Sequence, residues 1–394
     1  MRRLWEQLAI ATNWPVLVSV LVLSSVGILS IWVTDRPDGI KQSVFLGVSF
    51  ACMMAFQAAN YQTIGRWAWP FFLFSLSLIA YTVVAQKMGG LPFVHKTKGA
   101  WAWINLGPVS LEPAELMKIA YVLVMARYLR FRSNYRSMTG LLIPFAITLV
   151  PLALILKQPD LGMASLFVPT LFAMLFVAGA RLRHLGLIVL MGIIAVPILW
   201  MSGPRGEEGA PGLPILKHGP VFVKKYQRER VYAMFKHDPK TLRESAYQTQ
   251  HAMTAFASGS ITGKGPGVIP LGQNVPEAHN DMIFALVGEQ FGFLGAAVVL
   301  GAFLVLFASG IEIAAATREP FGRLAAIGIV SMLAAQALVN MMVMMRLMPV
   351  TGITLPFVSY GGSSLVSSFM AVGLLLNVGQ NRPLVIARES FEYD

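Results

Sequence analysis

Charged side chains are scarce in this chain of 394 residues: 13% are Asp, Glu, Lys or Arg, whereas 56% are hydrophobic. Soluble globular domains carry about 25% charged and about 45–50% apolar residues. The shortage of charge excludes an ordinary soluble domain. Because a helical span needs about 20 apolar residues, we predict a single all-α polytopic membrane domain over 1–394, with about ten transmembrane helices.

Cysteine and histidine are also rare. The single cysteine, Cys52, excludes an internal disulfide. The six histidines show no ligand spacing, so no metal site is predicted. Although the net charge is +12, no nucleic-acid-binding motif is present, and basic residues beside spans are the usual topology signal. We therefore predict no nucleic-acid partner.

Apolar runs predict where the chain crosses the membrane. They lie near 14–34, 40–59, 67–85, 113–129, 139–156, 161–179, 185–201, 282–308, 325–346 and 363–379. We expect the first run to remain as a helix rather than to be cleaved as a signal peptide. Glu115 and Lys118 interrupt the start of the fourth run.

The distribution of arginine and lysine predicts the topology. By the positive-inside rule, both termini are expected in the cytoplasm. The one large loop, 202–280 between spans seven and eight, is then extracytoplasmic. It begins with a Gly/Pro-rich stretch at 203–220, continues with a charged, helix-like stretch at 221–243, and ends in a glycine-rich run at 258–267. Loops of this length are usually functional or disordered.

Few carboxylates lie at membrane depth or at its border, where an ionisable residue is a functional-site hypothesis by default. They are Glu112, Glu115, Asp160, Asp281 and Glu289. Asp281, at the start of the eighth span, has two interpretations. It could be a helix N-cap, although Asn280 could cap equally well, or it could be a general base toward a sugar hydroxyl.

Two other acidic positions have structural and functional interpretations. Glu115 and Lys118 are three residues apart and share one helical face. They could form an ion pair that makes both tolerable in the membrane, and Lys118 could also lie near a phosphate or near Asp281. Asp160, which joins two spans, is explained better as a helix cap than as a ligand-contacting group.

The segment 346–364, between the last two spans, combines prolines, glycines and hydroxyls at the outer border of the membrane. Irregular backbone at this depth is tolerated only where protein buries it or where it lines a cavity. The segment is therefore predicted to form a re-entrant turn or a cavity wall.

At these motifs the chain resembles the SEDS (shape, elongation, division and sporulation) family of RodA- and FtsW-like proteins. The strongest similarity lies at 276–292 and 349–364, with weaker motifs at 103–118 and 158–162. The resemblance covers essentially the whole chain. It implies a peptidoglycan glycosyltransferase of the bacterial cytoplasmic membrane that polymerises lipid II at the outer face. A class B penicillin-binding protein would be its transpeptidase partner, and the elongation type is slightly favoured over division.

The resemblance also assigns residues. The family's catalytic aspartate falls on Asp281, its Glu/Lys pair falls on Glu115 and Lys118, and an outer-loop arginine falls on Arg230. Ala252 stands where the family usually has serine. Another departure is the run 257–260, where the family has a GSGG-like sequence.

In the implied reaction a sugar hydroxyl of one lipid-linked disaccharide attacks the anomeric carbon of another, and undecaprenyl pyrophosphate leaves. Asp281 would accept the hydroxyl proton. Positive charge at the leaving group would come from Lys118, Arg230, Lys264 or a divalent cation, Mg²⁺ or Mn²⁺. His279 is a further candidate for substrate binding.

Two other functional classes stay open at this stage. A lipid II flippase would place ionisable groups along a transmembrane path, often in repeated halves, whereas those of this chain cluster toward the outer side. A scaffold for other wall enzymes would give no reason for Asp281. The chain lacks a nucleotide-binding fingerprint, as expected if the donor is lipid-linked.

Overall fold

The structure is a computed structural model, and it describes only part of the chain. The described residues are 13–96, 100–107, 109–132, 134–201, 227–228, 230–231, 245–265 and 279–381. The predicted Gly/Pro-rich stretch 203–220 lies outside the described residues, as does most of the helix-like stretch 221–243.

Helices dominate the described residues. They are α1 (Trp14–Thr34), α2 (Arg36–Ala58), α3 (Tyr61–Arg66), α4 (Ala68–Met88), α5 (Pro113–Arg130), α6 (Leu142–Lys157), α7 (Leu161–Ala178), α8 (Leu182–Trp200), α9 (Ser245–Ser258), α10 (Ile283–Ala316), α11 (Pro320–Met344) and α12 (Gly362–Gln380). Two 3-10 turns, Asn134–Arg136 and Thr139–Leu141, precede α6. The strands β1 (Ile104–Asn105) and β2 (Ser110–Leu111) pair antiparallel between α4 and α5.

Within the described residues, nine helices are long and apolar enough to cross a membrane. The remaining three are α3, α5 and α9. The 18 residues of α5 include four charged ones, Glu115, Lys118, Arg127 and Arg130. Its composition is therefore not apolar enough for it to be counted among the nine. With α5 included, the prediction of an all-α polytopic fold with about ten spans is confirmed.

α5 lies at the centre of the helix bundle. Fourteen of its 18 residues are buried, and it packs against α4, α6, α7, α11 and α12. Protein rather than lipid therefore surrounds Glu115 and Lys118. Glu115 in the first turn and Arg127 and Arg130 in the last turn also have the charges that the helix dipole favours at each end.

α10 is broken at Gly292, where φ is 66° and ψ is −162°. Glycine reaches this left-handed conformation without the penalty that a Cβ atom imposes. The segment 259–265 lies against the break and binds the backbone of α10 there. Its carbonyls at Ser260 and Ile261 accept hydrogen bonds from the amides of Phe293 and Leu294, at 2.9 and 3.1 Å. Its amides at Lys264 and Gly265 donate to the carbonyls of Glu289 and Gln290, at 3.0 and 3.1 Å.

The close packing at the break generates a prediction about stability. A Cβ atom on Gly292 would lie 2.3 Å from the backbone nitrogen of Gly263 and 2.4 Å from the carbonyl oxygen of Ile261. Gly292→Ala should therefore destabilise the fold by about 1–3 kcal/mol from backbone strain alone, with the clash adding to it. Thermal unfolding of the purified protein in detergent measures the effect.

The control is Gly301→Ala in the same helix, because no atom lies within 4 Å of the added Cβ. This variant should unfold at the wild-type temperature or slightly above it. Equal unfolding temperatures for the two variants would contradict the described packing at the break.

Candidate functional site

A buried ion pair forms at the start of α5, as predicted. Nζ of Lys118 lies 2.7 Å from Oε2 of Glu115, and the two side chains are 5% and 2% exposed. The same carboxylate oxygen accepts a hydrogen bond from the hydroxyl of Ser367 on α12. Lys118 also donates to Oε1 of Gln336 on α11 at 2.7 Å. Buried charges persist when they are paired and hydrogen-bonded, so three helices stabilise this pair.

Two amide side chains of α11 connect the ion pair to the rest of the site. Gln336 and Asn340 are four residues apart on one helical face, and both are buried. Gln336 donates to the carbonyl of Thr354 at 2.9 Å. Asn340 donates to the carbonyls of Ile353 and Asp281, at 2.7 and 2.8 Å. α11 therefore holds both the segment after it and the residue predicted to be catalytic.

The segment between α11 and α12, predicted as a re-entrant turn or a cavity wall, is irregular, and protein buries most of residues 353–359. Gln42 of α2 donates to the carbonyl of Ser359 at 3.0 Å and accepts from the amide of Gly361 at 3.2 Å. A Cβ atom on Gly27 of α1 would lie 2.4 Å from the carbonyl oxygen of Val358. Helices α1, α2 and α11 thus enclose this backbone and satisfy its polar groups, as membrane depth requires.

Asp281 precedes α10 but does not cap it. The N-cap position is Met282, which makes no side-chain capping hydrogen bond. The interpretation of Asp281, or of its neighbour Asn280, as a helix cap is therefore wrong. Asp281 is partly buried, and its oxygen Oδ1 is shielded from solvent. Capping does not account for a carboxylate at this position.

His279 ties the residues before α10 to the re-entrant turn. Its carbonyl accepts from the amide of Tyr360 at 2.8 Å, and the two rings meet edge to face with centroids 5.5 Å apart. Its Nε2 lies 3.7 Å from Oδ2 of Asp38 on α2. The predicted substrate-binding residue His279 therefore lies two positions before Asp281, between Tyr360 and Asp38.

The charge of Arg230 acts on Asp160, the residue that precedes α7. Oδ1 of Asp160 accepts from the amide of Met163 at 2.8 Å, which confirms the predicted helix cap. The pKa of Asp160 is raised to about 6. Burial raises it most, the capping hydrogen bond to Met163 lowers it, Glu115 raises it, and Arg230 and Lys118 lower it. Arg230 thus acts on the same electrostatic environment as the buried ion pair.

Lys264 occupies a different kind of environment. Its Nζ lies 2.7 Å from Oε1 of Glu289, whose side chain is 1% exposed. The ion pair joins the segment 259–265 to α10 beside the break at Gly292. The carboxylate already neutralises the charge of Lys264, so the structure gives it a role in packing. Its role in substrate binding stays a prediction.

Nowhere in the described ranges do three His, Cys, Asp or Glu side chains come close enough to hold a metal ion. Mg²⁺ is often bound through one or two carboxylates together with substrate phosphates. A divalent cation that arrives with a substrate diphosphate would use that mode.

The sequence interpretation missed the polar residues that join the site together, namely Gln42, Gln336, Asn340 and Ser367. A signal for two of them was present. Gln336 and Asn340 stand four residues apart in an otherwise apolar run, and polar residues inside a span commonly face protein or a cavity.

The burial of Lys118 generates a prediction about stability. Lys118→Met leaves Glu115 as a buried charge without its partner, which should cost about 3–5 kcal/mol. The charge-swapped double variant, Glu115→Lys with Lys118→Glu, should recover much of this loss. Thermal unfolding in detergent measures both variants.

Lys87→Met is the control, because Lys87 is exposed at the end of α4. Surface changes of this kind usually alter stability by about 0.5 kcal/mol or less. If Lys118→Met unfolded at the same temperature as Lys87→Met, the pair would have no stabilising role.

Comparisons with known proteins identify the family. Residues 5–383 match the model of the FtsW, RodA and SpoVE family, described as "Cell cycle protein". The chain is 34% identical over 346 residues to the probable peptidoglycan glycosyltransferase FtsW of Geobacter sulfurreducens, covering 86% of this chain and 84% of that protein. It is 30% identical over 320 residues to the peptidoglycan glycosyltransferase MrdB of Escherichia coli K12, covering 80% and 79%.

A solved structure described as "Structural coordination of polymerization and crosslinking by a peptidoglycan synthase complex" contains a similar chain. The TM-score is 0.76 at 29% identity, and the match covers 95% of this chain and 99% of that one. The family match extends over nearly the whole sequence and includes every residue of the site described above. The chain therefore belongs to the FtsW/RodA/SpoVE family, the SEDS family that its motifs resemble.

Proposed function

We propose that this chain, a peptidoglycan glycosyltransferase, polymerises lipid II at the outer face of the bacterial cytoplasmic membrane with Asp281 as general base. One observation supports this assignment above the others. Asn340 and Gln336, one turn apart on α11, hold the carbonyl of Asp281 and the ammonium of Lys118 respectively. The candidate base and the buried ion pair thus belong to one polar network.

The proposed reaction needs one proton acceptor and one stabilised leaving group. A hydroxyl of the acceptor sugar attacks the anomeric carbon of the donor and forms the new glycosidic bond. The bond from that carbon to the diphosphate breaks, and undecaprenyl diphosphate leaves with the electron pair. Asp281 takes the hydroxyl proton. Neither half of the reaction requires a nucleotide.

The leaving diphosphate requires positive charge nearby. Among the candidates, Arg230 is favoured because its charge acts on Asp160 beside the buried ion pair. Lys118 is held by Glu115 and Gln336, so it would contribute through its field rather than by moving to the substrate. Lys264 is neutralised by Glu289 and is the weakest of the three. A divalent cation bound with the diphosphate would supply further charge.

The orientation and the partner belong to the same proposal. With both termini in the cytoplasm, residues 112–118, 279–281 and 349–361 all lie at the outer end of the bundle, where a flipped lipid-linked substrate is found. A class B penicillin-binding protein would crosslink the glycan as it forms. This chain is similar to a chain of a peptidoglycan synthase complex whose description names both polymerization and crosslinking, and that similarity supports this partner.

Removing the base should abolish polymerisation without unfolding the protein. Asp281→Asn preserves the size of the side chain and the backbone carbonyl that Asn340 binds, but an amide is not a base. We expect glycan synthesis from purified lipid II to fall by about 100-fold or more, at an unchanged unfolding temperature. Near wild-type synthesis by the folded variant would remove Asp281 from the catalytic role.

The topology is tested by labelling single cysteines in intact cells with a membrane-impermeant reagent. In a Cys52→Ser background, Pro211→Cys in the large loop should be labelled without lysis. Met138→Cys, exposed between α5 and α6, should be labelled only after lysis. The reverse pattern would invert the proposed orientation.

A further inference from the structure

We propose that Asp38, near the outer end of α2, is a positioning residue for the transfer reaction. It holds the side chains of His279 and Tyr360 together, and thereby orients the short segment that carries Asp281. The inference rests on the proposed role of Asp281 as general base. It assigns a function to α2, which contributes no group to the proposed chemistry itself.

Asp38 contacts three side chains from three parts of the chain. Its Oδ1 accepts from Nζ of Lys41 at 3.0 Å, and its Oδ2 lies 3.7 Å from Nε2 of His279. Its third neighbour is the hydroxyl of Tyr360, on which its negative charge acts. Burial raises the pKa of this hydroxyl, and the negative charge of Asp38 raises it further. Asp38 therefore lies between the re-entrant turn and the residues before α10.

The contacts continue from this cluster to Asp281. The amide of Tyr360 donates to the carbonyl of His279 at 2.8 Å, and their rings are in edge contact. Two residues later, the carbonyl of Asp281 is bound by Asn340. Segment 279–281 is thus held by α11 at one end and by Tyr360 at the other. Asp38 determines how the side chains at the second end are oriented.

α2 also holds the backbone on both sides of Tyr360. Gln42, four residues after Asp38 and on the same helical face, binds the carbonyl of Ser359 and the amide of Gly361. Gln42 is fully buried and satisfies backbone groups, so it serves the fold. Asp38 is partly exposed, and its pair with the 62% exposed Lys41 adds little stability. Orientation of the neighbouring side chains explains Asp38 better than stability does.

The test compares two variants that remove the same charge at the same end of α2. Asp38→Asn keeps the size of the side chain but removes its charge from His279 and Lys41. Asp35→Asn is the matched control, because Asp35 caps α2 by accepting from the amide of Asp38 at 3.1 Å, and asparagine caps equally well. Each full-length variant is purified, and its kcat and KM for lipid II polymerisation are measured together with its unfolding temperature.

We expect Asp38→Asn to lower kcat by about ten-fold or more, because small misplacements of a reacting group are costly. KM and the unfolding temperature should stay near the wild-type values, and Asp38→Glu should recover part of kcat. Asp35→Asn should resemble wild type in all three measurements. Equal kcat for the two asparagine variants would overturn the inference, as would a loss of kcat that follows a fall in unfolding temperature.

A double-variant cycle tests whether Asp38 acts through His279. If it does, Asp38→Asn combined with His279→Gln should lose less activity than the product of the two single losses. Fully multiplicative losses would contradict the proposed connection. Failure of the proposed function is distinguishable, because Asp281→Asn would then polymerise lipid II like the wild-type protein, whatever the effect at Asp38.

Discussion

A lipid bilayer offers no hydrogen-bond partners to a polypeptide backbone, and the architecture of the outer end of this protein follows from that constraint. The chain between α11 and α12 is irregular, so other parts of the protein must satisfy its amides and carbonyls. Gln42, Gln336 and Asn340 do so with side-chain amides. Because Gln336 also binds Lys118 and Asn340 also binds Asp281, the groups that stabilise the fold also assemble the site.

The buried ion pair belongs to this same network. Charges removed from water are tolerated only with good geometry and further hydrogen bonds, and here Ser367 and Gln336 supply those bonds to Glu115 and Lys118. In low-dielectric surroundings the members of such a network depend on one another. A change at one residue should therefore affect both packing and chemistry. To separate the two effects, the unfolding temperature of a variant has to be measured together with its rate of polymerisation.

Much of the fold could be predicted from hydrophobicity. The features that could not be predicted have identifiable physical reasons. The first run at 14–34 coincides with α1, because an apolar segment between polar ones has one stable place in a membrane. The break in α10 could not be seen, since Gly292 lies inside the predicted span 282–308 and glycine is also frequent in unbroken membrane helices. The cap interpretation of Asp281 failed because the helix begins two residues later. The partner of Lys264 lies 25 residues away, beyond the reach of any local pattern.

The position of α5 has a consequence for how the protein is made. With two charged residues in its outer turns and two in its inner one, α5 would partition poorly into lipid by itself, since each such residue costs up to about 2.5–3.5 kcal/mol at the centre of a helix. Its stabilising partners Gln336 and Ser367 are synthesised more than 200 residues after it. During translation, before α11 and α12 have been made, Glu115 and Lys118 can form an ion pair mainly with each other. Membrane integration of the fourth span and completion of the polar network are therefore separate events, and the second awaits the final helix.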